Sequence, residues 1–367
     1  MTIYLVQAFL IVFVGLFIHP NRSDRRRRDY LFLVFMLLVV VSGIRAYSVG
    51  ADTRNYVSMF NNTQYIGILN TRIEMGFMTY LKFLHIFSDD PGIMLFSSSI
   101  ICVGAACMFT AKFSKDPIMS MLLYVLMGAY FSQMNAMRQA LALALTEVAF
   151  MLVLSNRGRG VRRKIVAALL ILLASSVHTI AMVAFAPYAL IVRSKNTSED
   201  TSLTVGKALL RSFAVAAIGF IGYSLIMRVA SFLFPQYAYY FSSTWSDANY
   251  NASLFAVLIS VVFALAGACV FRSKELNSTQ RFAAIMIGFS IIFNVLSMRM
   301  EIWSRIAGMF SIYTYLLWVP EFTSEIYSVR NRWILNSSIA LLALAYMLIV
   351  LIFRPEWTLV VPYMVRK

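Results

Sequence analysis

The chain has 367 residues, 60% of them hydrophobic and only 13% charged, and a net charge of +16. Soluble domains average roughly 25% charged residues, so the composition excludes an ordinary soluble enzyme and points to an all-α, polytopic helical membrane protein. In a soluble chain the basic excess would suggest nucleic acid; here it is the loop charge that sets membrane topology, and no nucleic-acid partner is expected.

Twelve apolar runs are expected to be transmembrane segments, at residues 2–18, 30–46, 92–111, 117–134, 138–154, 164–177, 179–193, 208–230, 253–271, 282–298, 303–320 and 333–353. They are read as a single polytopic domain over residues 1–367. The first run lacks a basic leader and is followed by arginines, so it reads as a span and not as a cleavable signal. Arg22 and Arg25 to Arg28 between the first two runs mark the cytoplasmic side. Alternation then places Lys112, Lys115, Arg157, Arg159, Arg162, Arg163, Lys164, Arg193, Lys195, Arg272, Lys274, Arg281, Arg330 and Arg332 on that side as well. The outer loop at 234–253 contains no Lys or Arg.

The long outer loop, 47–90, contains an amphipathic stretch, Glu74 to Phe87. Phe77, Tyr80, Leu81, Leu84 and Phe87 recur at helical spacing, which predicts an interfacial helix on the outer leaflet. Residues 164–193 are apolar between two basic loops. Parity requires two short spans or a re-entrant hairpin, with the polar tip Ser175-Ser176-Val177-His178-Thr179 at the middle. Each arm would be about 22 Å long, shorter than the ~30 Å hydrocarbon core, so His178 would lie in a dip below the outer surface. Cys102, Cys107 and Cys269 sit inside apolar runs without metal-ligand spacing. P-loop, Rossmann, HExxH and GxSxG motifs are absent, and neither metal nor cofactor is expected.

The remaining ionisable residues gather on the predicted outer side. Arg45 ends the second run, and Gly50, Asp52, Arg54 and Tyr56 follow. Gly50 permits a tight turn, and Asp52 or Thr53 can cap a short helix through Tyr56 to Phe60. Arg72 and Glu74 follow within the same loop. Arg138, flanked by Asn135 and Gln139, could reach lipid headgroups or hold a phosphate. His178 could end a helix or move a proton near neutral pH. Arg299, Glu301 and Arg305 surround the turn between the tenth and eleventh runs, where Glu301 and Arg305 could form an internal pair or an anion clamp.

The order of these motifs resembles the EpsG-like branch of the Wzy-type polysaccharide polymerases. An arginine closing an early span leads to G-x-D-x-x-x-Y (Arg45, Gly50, Asp52, Tyr56). An E-x-G-F element follows (Glu74, Gly76, Phe77), then R-Q at the start of a span (Arg138, Gln139). Next come a His before small residues and a Pro (His178 to Ala181, Pro187), and an Arg leading into an aromatic span (Arg305, Tyr313, Tyr315). The family usually shows His-x-Ser/Thr; here Thr179 directly follows His178.

The resemblance implies a GT-C-like arrangement with an outer-face site in the bacterial inner membrane. It implies transfer of a growing glycan from its undecaprenyl diphosphate to the non-reducing end of a new lipid-linked repeat, with inversion at the anomeric centre. The expected partners are this lipid-linked oligosaccharide, membrane lipid and a chain-length regulator protein. In this reading Arg45, Arg54, Tyr56, Arg138, Gln139, Arg299, Glu301 and Arg305 bind diphosphate and substrate. His178 is the favoured base, with Asp52 and Glu74 orienting the acceptor. Two other readings stay open: another lipid-linked-glycan transferase, such as an O-antigen ligase or acyltransferase, and a flippase or transporter for the same substrate.

Overall fold

Polar caps open several helices where the apolar runs begin. In a computed structural model of the protein, Ser23 accepts the Arg26 amide at the start of α2 (Asp24–Gly43), after α1 (Thr2–Ile18). Asp116 caps α6 (Pro117–Leu126) from the end of α5 (Gly92–Phe113), with proline at the first helical position. The structure describes residues 1–63, 65, 73–155, 160–194, 205–233, 250–272 and 275–366. Arg72, Arg157, Arg159, Lys195, Lys274 and most of the predicted outer loop 234–253 lie outside the described residues.

The regular elements of the described residues are all helical, without a named strand. They form two compact units, Met1–Val192 with Tyr327–Lys367, and Arg193–Ile326. The reading of one polytopic domain does not distinguish these units.

The first unit contains α1, α2, two short helices α3 (Thr53–Asn62) and α4 (Met75–His85), then α5 and α6. Gly128, with a positive φ of 83°, separates α6 from α7 (Ala129–Asn135), and the chain bends there by 48°. Next come α8 (Met137–Leu154), α9 (Val161–Val177), a 3₁₀ segment Thr179–Ala184 and α10 (Phe185–Ser194). The Tyr188 hydroxyl donates to the Lys164 carbonyl, so the arm after His178 runs back along α9. The last long helix of the unit is Val329–Phe353.

One end of this unit is basic and tied by polar contacts. Arg27 donates to the Ala111 carbonyl, Lys112 to the Met151 carbonyl, and the Asn336 amide to Asp116. The opposite end carries the loop after α2, the start of α4, the α7–α8 joint and the turn at His178. This segregation is the one that loop charge predicts for the unit.

The second unit holds α11 (Val205–Ile221), α12 (Tyr223–Leu233), α13 (Tyr250–Val270), α14 (Ser278–Ser297), α15 (Ile302–Tyr313) and α16 (Val319–Ser324). A π-helical turn, Thr314–Trp318, joins α15 to α16. Asn277 and Gln280 form a capping box on α14. Inside the unit the Asn294 amide donates to the Ser260 and Ser290 hydroxyls, and Ser290 bonds Ser311. Gln280 reaches the buried Glu321 at 3.1 Å.

Every expected apolar run falls on a helix or on consecutive helical pieces. By length and composition, five described helices can cross a membrane, or up to seven if each bent pair is one span. Thr2–Ile18 and Thr179–Arg193 are apolar but shorter than the roughly 20 residues a crossing needs. Twelve crossings and a GT-C-like arrangement therefore stay expectations of the sequence.

The helix read for the outer leaflet is placed differently. In α4, Phe77, Met78, Leu81 and Leu84 are buried, and the helix packs on α9 and α5. Of the predicted stripe, Phe77, Leu81 and Leu84 are covered by protein and Tyr80 is half-buried, while Phe87 is exposed together with Met75, Phe83 and Ile86. Cys102 and Cys107 are buried and Cys269 is exposed.

Candidate functional site

Three chain breaks converge at the non-basic end of the first unit. The first is Glu74, the residue before α4. Gly76 lies so close to α9 that a Cβ there would sit 2.3 Å from Ser176 Oγ and 2.7 Å from its carbonyl oxygen. That approach brings Glu74 to the end of α9. The second break is at His178, where the backbone turns extended (φ −153°, ψ 119°) and α9 stops. The third is at Ala136, which separates α7 from α8 and places Arg138 in the first turn of α8.

Glu74 joins the three elements. Its Oε1 is 2.8 Å from His178 Nδ1, and its Oε2 is 2.7 Å from Arg138 Nη1. The Thr179 amide and hydroxyl also approach Oε1, at 3.3 and 3.4 Å. The side chains of Glu74, His178 and Arg138 are 17%, 16% and 26% exposed, so the group is shielded without being sealed. Burial would raise the Glu74 carboxyl. The hydrogen bond from His178 and the charge of Arg138 outweigh it and lower the group to about 2.

An ionised Glu74 only accepts hydrogen bonds, so the proton between it and the imidazole belongs on His178 Nδ1. In the neutral ring Nε2 is then the acceptor, and it has no hydrogen-bond partner among the described residues. The arrangement can take a proton at Nε2 while the carboxylate stabilises the imidazolium that forms. Both carboxylate oxygens of Glu74 are engaged, one by His178 and one by Arg138.

Aromatic side chains support Arg138. Its guanidinium lies 6.0 Å from the Phe77 ring centroid, and Tyr56 meets Phe77 edge to face at 5.8 Å. Tyr56 is 5% exposed. Burial raises its phenol, against the charge and hydrogen bond of Arg138, while Asp52 adds to the rise. Tyr56, Asp52 and Arg138 are therefore neighbours. Asp52 is half-buried at the start of α3 and makes no side-chain cap bond. Gly50 (φ 100°) makes the turn before it, where a Cβ would lie 2.6 Å from the Met134 carbonyl. Arg54 is exposed and Gln139 half-buried.

Arg45 is not in the position expected for a diphosphate ligand. It is 1% exposed and donates to the Ser42 carbonyl and hydroxyl and, at 3.4 Å, to the Met134 carbonyl. Its motif position is correct, but its side chain turns into the protein and ties α2 to α7. Arg299, Glu301 and Arg305 belong to the second unit. All three are exposed around the α14–α15 turn, with Arg299 4.1 Å from the Phe220 ring centroid.

Sequence reasoning missed that Glu74 and His178 meet, 104 residues apart. The usable signal was Gly76, whose missing side chain permits the approach. It also missed Glu147, 1% exposed inside α8. Among the described residues no three His, Cys, Asp or Glu side chains are placed to hold a metal ion.

A model of the EpsG family matches residues 29–365. No curated protein and no solved structure matches the chain. The match covers most of the chain, including Glu74, Arg138 and His178, and the chain belongs to the EpsG family.

Proposed function

We propose that this chain is a polysaccharide polymerase of the bacterial inner membrane, acting at its outer face. Its substrates are undecaprenyl-diphosphate-linked oligosaccharide repeats. The growing glycan leaves its carrier and joins the non-reducing end of a new repeat. The observation that carries this reading is the division of the Glu74 carboxylate between His178 and Arg138 at the end of an apolar helical unit.

The chemistry follows from those three residues. An acceptor hydroxyl gives its proton to His178 Nε2 as its oxygen bonds to the anomeric carbon. The bond from that carbon to the carrier diphosphate breaks, and the electron pair leaves with the diphosphate. Direct displacement inverts the anomeric centre. Arg138, held by Glu74 and Tyr56, turns the exposed edge of its guanidinium to phosphate oxygens. Tyr56 and Phe77 hold that group. Asp52 orients the acceptor sugar, and Arg54 and Gln139 contact substrate. The exposed apolar helices face the lipid that carries the substrate.

The test is polymerisation of a purified lipid-linked repeat by the purified protein in lipid nanodiscs, followed as a ladder of products. A ladder from the wild-type protein that disappears with His178→Ala supports the reading. Transfer of intact glycan to a different acceptor, with no ladder, would move the assignment to a ligase. Movement of unaltered substrate across the bilayer would move it to a flippase.

A further inference from the structure

We propose that residues 359–366 are a positioning strap for the loop that carries Asp52, with Arg366 as its anchor. This inference rests on the reading of Asp52 as a substrate-orienting group. Residues 44–52 run between α2 and α3 without regular structure, so their amides need partners from elsewhere. The strap supplies them. The Ala46 amide donates to the Met364 carbonyl at 2.8 Å, and the Gly50 amide to the Leu359 carbonyl at 2.8 Å. In return the Arg366 amide donates to the Ile44 carbonyl at 2.9 Å, which sets Arg45 opposite Val365 in an isolated antiparallel bridge.

Side chains lock the same segment. The Tyr4 hydroxyl donates to the Val360 carbonyl and the Tyr363 hydroxyl to the Val41 carbonyl, at 2.9 and 2.8 Å. The Arg366 guanidinium pairs with Asp90 at 3.6 Å and lies 5.8 Å from the Tyr47 ring centroid. Asp90 also accepts the Tyr47 hydroxyl at 2.6 Å and the Gly92 amide at 3.0 Å. Burial, followed by these bonds to Asp90, raises the Tyr47 phenol; its hydroxyl therefore stays a donor. Gly92 makes room for the anchor, because a Cβ there would fall 1.5 Å from Arg366 Nη1.

The other flank of the loop is held by α7. The Ala51 amide donates to Asn135 Oδ1 at 2.8 Å, and the Thr53 hydroxyl to the Met134 carbonyl at 3.2 Å. Asp52 therefore stands between two fixed flanks, one built from α7 and one from the strap. Arg366 contacts neither Glu74, Arg138 nor His178 among the described residues, so its influence on the reaction passes through the loop.

The experiment uses the full chain in nanodiscs, with Arg366→Ala, Arg366→Lys and Asp90→Asn. A misplaced orienting group costs turnover, so kcat should fall on the order of 10–100-fold in Arg366→Ala, with KM for the lipid-linked repeat little changed. Arg366→Lys keeps the charge beside Asp90 and should recover part of the loss. Amide hydrogen exchange at Ala46 and Gly50 should speed up in Arg366→Ala and Asp90→Asn, while the Met78 amide in α4 stays protected. Wild-type kcat in Arg366→Ala, or exchange that rises equally at Met78, would overturn the proposal.

A second arm asks whether the strap is fixed or moves. The pair Ala46→Cys and Met364→Cys, in a Cys269→Ser background, is bridged by a short cleavable thiol cross-linker. A fixed strap predicts that the bridged enzyme still polymerises. Loss of activity that returns on cleavage would overturn it in favour of a moving gate. The exchange measurement needs no turnover, so a protein that does not polymerise would sink the polymerase reading while the strap is still tested.

Discussion

Glu74 and His178 are 104 residues apart in sequence and 2.8 Å apart in space, with the carboxylate facing imidazole Nδ1. The same carboxylate reaches Arg138 with its other oxygen. One acid thus fixes the His178 imidazole and the Arg138 guanidinium relative to each other.

Replacing Glu74 with Gln keeps the shape and removes the charge. The Arg138 ion pair is lost and His178 is free to adopt either tautomer. We expect kcat to fall by about 10²–10⁴-fold, the usual range when a positioned general base loses its support, while the carrier still binds. Initial rates at saturating lipid-linked repeat check this, and a rate within threefold of wild type, well short of that range, would remove Glu74 from the site.

The low Glu74 value has a definite sign. A folded-state carboxyl at about 2, against an ordinary 4.5, contributes stability that is fully present above about pH 5. That contribution is lost as pH falls from the ordinary value through the folded one. The melting-temperature gap between wild type and Glu74→Gln should shrink as pH falls from about 5 towards 2. A gap that instead opened on acidification would contradict the ion pair.

Arg45 and Arg138 should separate cleanly. Arg45→Lys removes the guanidinium bonds to Ser42 and Met134 in a buried position, and should cost about 2–4 kcal/mol of stability. Arg138→Lys should leave the melting temperature nearly unchanged and lower kcat through loss of the planar fork. Thermal unfolding and carrier-binding assays on both variants distinguish the roles. Weak carrier binding in a stable Arg45→Lys protein would return Arg45 to the diphosphate site.

Gly76→Ala tests the close approach of α4 and α9. The new methyl would meet the Ser176 backbone, which cannot move as a flexible side chain could. A cost of about 1–3 kcal/mol and a parted Glu74–His178 contact are expected. Activity retained at the wild-type level would mean that the helices need not touch there.

Sidedness can be read with an impermeant thiol reagent on intact cells. Cysteine at Arg54 should be labelled from outside, with outer-membrane permeabilisation where needed, and cysteine at Arg26 only after lysis. Both positions are exposed. The reverse pattern would invert the topology.

The local features of this chain are written locally. Helices follow the apolar runs, the basic loops share one end of the first unit, and the predicted turns at Gly50 and His178 are found. Pairings are another matter. Periodicity gives α4 an apolar face but not its partner, so Phe77, Leu81 and Leu84, read for lipid, are buried in protein and only Phe87 of that stripe stays exposed. An arginine at the end of a span looks the same in sequence whether it points out, as Arg138 partly does, or in, as Arg45 does. Residues 359–366 carry no catalytic motif, and their contacts with residues 41–50 and Asp90 join the two ends of the first unit across more than 270 residues, a pairing no local pattern encodes.

The π-helical turn at Thr314–Trp318 has a consequence for length variation. Such a turn holds one residue more than an α-helix needs. Deleting a single residue there would leave an unbroken α-helix of good geometry. The wider turn absorbs the extra residue, so the flanks already keep nearly the phase of a continuous α-helix. Glu321 would therefore stay near Gln280, and Trp318, whose indole donates to the Phe263 carbonyl, near Gly267. A deletion elsewhere in α15 would instead swing everything after it by about 100° around the helix axis. Between α15 and α16 the chain should tolerate loss of one residue at the π turn and nowhere beside it.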